Sequence, residues 1–115
     1  MDERLEKALE FANYRITLGN RKRDIRARML FLQTLHYKNG VFVANETIIG
    51  FIDALLRQNK TKSIVVDTNE NPVEIEDLQE FMDLLLGAYS EASNEYKVQM
   101  DKVTKSRNIK KIMDW

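Results

Sequence analysis

"EDLQEFMDLLLGAYSEASNEYKVQMDKVTKSRNIKK", residues 76–111, contains no proline and places Leu78, Met82, Leu85, Tyr89, Ala92, Tyr96, Met100 and Val103 at steps of three or four. Those steps follow the turn of an α-helix over many turns, so the stretch predicts a helix over about 76–108. Its opening acids, Glu76, Asp77 and Glu80, suit the positive end of the helix dipole, and its lysine-rich close suits the negative end. A helix of that length is on the order of 50 Å at about 1.5 Å per residue. Covering its apolar stripe needs a second element of similar length.

Residues 3–37 supply one. They hold no proline, and apolar residues recur at Leu5, Ala8, Leu9, Ala12 and Ile16 and at Phe11, Tyr14, Leu18, Ile25, Met29, Leu32 and Leu35. We read these as one broad face of a helix over about 3–37, with Gly19 as its weak point, since glycine inside a helix costs roughly 1 kcal/mol. Between the long helices, Asn39-Gly40 breaks the first, and Asn45 can cap a short helix over about 46–58 carrying Ile48, Ile49, Ile52, Leu55 and Leu56. "SIVVDTNENPVEI", residues 63–75, is two β-prone runs around a polar turn with the only proline, Pro72, and predicts a β-hairpin. Val41–Val43 is a candidate third strand. The fold class is mainly α with a small β insert (α+β): two long antiparallel helices in a helical hairpin, with the insert at one end, as a single domain over 1–115. Stripes of this kind are buried against each other or against other subunits, as in coiled coils.

Composition narrows the function classes. The chain has 115 residues, no cysteine, and 18 basic against 18 acidic residues, so its formal net charge is zero. Disulfides, thiolate metal sites and cysteine nucleophiles are excluded, and no overall field draws the molecule to a polyanion. The opening "MDERLEKALEF" has neither a signal nor a transit pattern, and apolar runs are far short of the roughly 20 residues of a membrane span, so no membrane partner is expected.

The charges are segregated. "NRKRDIRAR", residues 20–28, has five basic side chains and one acid, whereas residues 63–96 have no base and nine acids. In an antiparallel pair closed at the insert, Arg21 to Arg28 falls beside Asp83, Glu91 and Glu95. Glu3, Glu6 and Glu10 then fall beside the basic tail from Lys102 to Lys110. The small residues also fall together, Gly19 opposite Ala92 and Ser93, and Ala27 opposite Gly87. On this reading the basic block is a solvated face balanced by its neighbour, and the pairs set helix order while the apolar stripe stabilises. The competing readings are contact with nucleic acid through Arg15, Arg21, Lys22, Arg23, Arg26 and Arg28, or contact with an acidic protein. Nucleic acid is the less favoured, because net positive charge and a recognisable binding module are both missing.

Residues for catalysis are scarce. His36 is the only histidine and is read as the end of the first helix; no Gly-x-Ser-x-Gly or phosphate loop occurs. "DTNENPVEIED" is acidic enough for a calcium loop but lacks its glycine, so it is read as a hairpin turn. No enzyme activity, cofactor, metal or small-molecule substrate is expected. Met113 and Trp115 are apolar residues beyond a basic tail, a candidate docking anchor for a partner or neighbouring subunit.

"SIVVDTNENPVEIEDLQEFMDLLLGAYSEASNEY", residues 63–96, resembles a pattern in small proteins of tailed bacteriophages: a Val-Asp-x-Asn-x-Asn-Pro-Val hairpin, then a helix opening with two acids and a leucine. "ALEFANYRITLGNRKRDIR", residues 8–26, is similar to uncharacterised small proteins of T-even-like tailed bacteriophages. The resemblance implies a virion component or assembly factor in the host cytoplasm or the virion, partnered by itself or another phage protein, and brings no catalytic residues. The expected function is thus a non-enzymatic structural or assembly protein. The alternative is a small regulator that binds nucleic acid or the transcription machinery through the basic stretch 15–28.

Overall fold

The computed structural model describes residues 2–113, and the side chains of residues 2–105. Along the chain run α1 (Glu3–Gln33), β1 (Thr34–Tyr37), β2 (Gly40–Val43), α2 (Glu46–Arg57), β3 (Ser63–Val66), β4 (Pro72–Ile75) and α3 (Leu78–Met113). The protein is mainly helical with two small antiparallel β-hairpins, and the long α1 and α3 pack against each other. Its extents are 69 × 24 × 18 Å.

The first helix ends earlier than expected. Residues 34–37 form β1 and pair with β2 through Thr34↔Val43, Leu35↔Phe42, His36↔Val41 and Tyr37↔Gly40. Helical spacing alone carried the expectation to Tyr37, but the tight turn at Lys38-Asn39, with Lys38 at φ 51°, folds this stretch back onto β2. The pairing turns Leu35 and Tyr37 onto the core, and Thr34 Oγ1 donates to the Leu30 carbonyl at 2.8 Å, closing the last helical turn. Val41–Val43 is therefore a strand, but of its own hairpin; no ladder joins it to β3 and β4. Gly19 does not break α1, which runs through it.

The remaining boundaries follow local signals. Asn45 caps α2, its Oδ1 accepting from Ile48 N at 3.0 Å, and Asn59 at φ 63° follows its C-terminus. β3 and β4 pair as expected over 63–75, with Val65, Val73 and Ile75 inward and Ile64, Val66 and Glu74 outward. Asp77 opens α3 by accepting from Glu80 N at 3.1 Å, so Glu76 and Asp77 precede the helix. The helix extends to Met113, past the expected 108.

The core lies where the insert meets α3. Phe42, Ala44, Ile52, Val65, Val73, Ile75, Leu78, Phe81, Met82 and Leu85 form one buried cluster. The Phe81 ring stands edge-on to Phe42 at 5.0 Å and tilted to Tyr37 at 5.1 Å, joining both sides of the first hairpin to α3. Gly40 permits this closure, since a Cβ there would sit 2.7 Å from Val73 Cγ2. Asp67 clamps the hairpins together: its carboxylate accepts from the backbone N–H of Val41 (3.0 Å), Asn69 (3.0 Å) and Asn71 (2.8 Å). Thr68 N and Oγ1 both donate to the Val41 carbonyl at 2.9 Å. Away from this core, α1 buries Ile25 and α3 buries Ala92 and Val103.

Candidate functional site

Helix α1 has two unequal apolar stripes. Tyr14, Leu18, Ile25, Met29 and Leu32 are buried or half-buried, at the steps of four, seven, four and three that keep them on one side of the helix. Leu5, Leu9, Ile16 and Leu30 are 51%, 46%, 62% and 53% exposed. At about 100° per residue they lie roughly opposite Ile25. The single broad face read from the sequence is thus two faces, of which one is covered. The signal for this was present: the apolar positions of residues 3–37 are too many and too widely spread for one stripe.

Of the basic residues, Arg23 and Arg26 fall along the outer stripe of α1, and the others between and beside the two stripes. Arg15, Arg21, Arg23, Arg26 and Arg28 are exposed and Lys22 is half-buried. Among the described residues none of the six is in an ion pair; the pairs formed are Lys38–Glu76 at 3.9 Å, Arg57–Asp53 at 2.9 Å and Lys97–Asp101 at 3.0 Å. The expected matching of Arg21 to Arg28 with Asp83, Glu91 and Glu95 is therefore not formed as direct bridges. Those acids are engaged locally where they are engaged at all, Asp83 accepting from Gln79 Nε2 and Glu95 from Gln99 Nε2, each at 3.0 Å along α3. Arg15 and Arg28 instead lie over Phe11 (5.9 Å) and Phe31 (5.3 Å) of their own helix. Of the small residues, Ala92 is buried and Ser93 half-buried, but Ala27, Gly19 and Gly87 are exposed, and a Cβ on either glycine would meet nothing within 4 Å.

Glu3, Glu6 and Glu10 likewise form no bridge to the C-terminal bases among the described residues. Met113 is the last residue of α3, with its side chain outside the described residues, and Trp115 lies outside them altogether.

Elsewhere the polar groups serve the fold. Asp67 is buried, and the backbone N–H groups of Val41 and Asn71 hold its carboxyl below the usual carboxylate range. Glu46 is also held low, by the backbone N–H at its own position and by the Tyr89 hydroxyl, which donates to it at 2.9 Å and ties α3 to α2. His36 is exposed on β1, not at a helix end. An open groove of about 540 Å³ lies between β2, α2 and β3, lined by Phe42, Ile48, Phe51, Ile64 and Val66 among others. Among the described residues no group of three or more His, Asp or Glu side chains is placed to hold a metal ion, and no helix is long and apolar enough to cross a membrane. No known protein family, curated protein or solved structure matches the chain.

Proposed function

We propose that this chain is a non-enzymatic structural or assembly protein that works through helix packing, with itself or with a partner protein. The observation that carries the proposal is the outer stripe of α1, where Leu5, Leu9, Ile16 and Leu30 are all about half exposed or more on a helix whose other face already packs on α3. Large apolar side chains repeated along one face and left in water mark an interaction surface. An antiparallel helical hairpin of α1 and α3 would present it, a reading supported by α1 leading into the insert, α3 leading out of it, and the two packing against each other. The resemblance of residues 63–96 to small proteins of tailed bacteriophages is the ground for placing that role in a virion or its assembly.

A second reading has one observation in its favour. The basic face at Arg15, Arg21, Lys22, Arg23, Arg26 and Arg28 is free of ion pairs among the described residues, as a surface for phosphate or an acidic protein would be. The test compares the wild type with a Leu9→Glu/Ile16→Glu variant in light scattering and in affinity capture. On the structural reading, wild type binds itself or a protein partner and the variant loses that binding. A wild type that stays monomeric, captures nothing the variant loses, and shifts a DNA or RNA probe at about 150 mM salt belongs to the second reading.

A further inference from the structure

The outer stripe of α1 is a heptad pattern with a particular alternation of sizes. Leu9, Ile16, Arg23 and Leu30 recur every seven residues, and Leu5, Ala12, Gly19 and Arg26 do so four residues earlier. All eight are exposed. In the middle of the stripe the first set is large (Leu9, Ile16) and the second small (Ala12, Gly19). Gly19 is informative, because glycine in a continuous helix costs roughly 1 kcal/mol against alanine and nothing within 4 Å in this chain requires its missing Cβ. A neighbouring helix packed against it would.

We infer that this stripe binds the same stripe of a second copy of the chain, antiparallel, with the two-fold axis near residue 14. The inference rests on the helix-packing role proposed above and names its partner. Residues then lie level when their numbers add to about 28. Ile16 of one copy meets Ala12 of the other, and Leu9 meets Gly19, large side chains into small gaps in both halves of the symmetric contact. The charges agree. Arg23 comes level with Leu5 and Arg26 with Asp2, setting these two bases beside the acidic segment Asp2, Glu3 and Glu6 of the other copy.

Other pairings lose one or both matches. A parallel pair stacks Arg23 on Arg23 and Arg26 on Arg26, like charge on like charge. Sliding the antiparallel pair by one heptad places Arg26 against Leu9 and Arg23 against Ala12 in one direction. In the other direction it carries both arginines past the acidic segment.

The chain has no cysteine, so single cysteines at the exposed positions Asn13, Asn20 and Ala27 can each carry one nitroxide label. From about 1.5 Å rise per residue and about 9 Å between helix axes, the label-to-label distances in the dimer are roughly 10, 20 and 40 Å before the label arms are added. A Leu9→Glu/Ile16→Glu background, at two exposed sites, retains the helical circular dichroism and loses the dimer signal. Equal short distances at all three sites overturn the antiparallel register. A monomeric wild type whose stripe still captures another protein overturns self-pairing and leaves the helix-packing role standing. A monomer with no stripe-dependent partner overturns both.

Discussion

Ile25 and Ile16 are the same residue type on the same helix, and their alanine substitutions should part company. Ile25 is 7% exposed and is the one buried side chain of α1, whereas Ile16 is 62% exposed on the opposite side. Ile25→Ala removes three buried carbons, about 2.4 kcal/mol at roughly 0.8 kcal/mol each, and the cavity left against α3 raises this to about 3 kcal/mol. For a domain of this size that is a fall of roughly 10–15 °C in Tm. Ile16→Ala in dilute protein gives up little burial, and the better helix propensity of alanine returns a few tenths of a kcal/mol, so the net change stays within about 0.5 kcal/mol. Urea denaturation followed at 222 nm, at a concentration where the wild type is monomeric, measures both. Equal costs for the two variants, or a cost under about 0.5 kcal/mol for Ile25→Ala, would refute the two-faced description of α1.

Three further outcomes follow from the same contacts. Gly40→Ala should destabilise by about 1–3 kcal/mol, because its Cβ would press on Val73 Cγ2 at 2.7 Å and on the Phe42 ring at 2.8 Å; thermal melts check this. Asp67→Asn should lower stability at neutral pH. The wild-type carboxyl is depressed on folding, so its contribution is complete above the unfolded value of about 3.9 and is lost as pH falls through the lower folded value. Urea midpoints of the two proteins should therefore differ by a constant amount between neutral pH and about pH 5 and converge in stronger acid. Reversing charge at Arg21, Arg26 and Arg28 should change monomer stability by no more than about 0.5 kcal/mol per site, since none of them is in an ion pair among the described residues. Scanning calorimetry of the triple variant decides between this and a charge-matched helix pair.

Much of the fold was legible because its signals are local. The 3.6-residue periodicity of residues 78–103, the Asn45 cap and the polar turn around Asp67 to Asn71 each specify an element without help from elsewhere in the chain. Thr34–Tyr37 reads as helix in the sequence because its apolar spacing continues that of α1. What makes it a strand is a long-range reward, the burial of Leu35 and Tyr37 beside Phe42 and Phe81, which periodicity does not contain.

The candidate site was legible in its residues and not in their arrangement. The basic block is where the sequence puts it, yet facing charge blocks do not imply bridges, because exposed side chains gain too little from pairing to be held together. The outer stripe is legible as a set of apolar positions and not as a separate exposed face. Apolar residues at helical spacing read as one broad face, and the burial of Ile25 beside the exposure of Ile16 shows which of them are covered and which are left exposed.

Sedimentation equilibrium over about a hundredfold range of concentration, run on wild type and on Ile16→Glu, tests the central claim most directly. Wild type should rise from the chain mass of 13.5 kDa toward twice that value, while Ile16→Glu, equally folded, stays at 13.5 kDa throughout. A wild type fixed at 13.5 kDa, or an Ile16→Glu variant that dimerises as the wild type does, would contradict the account.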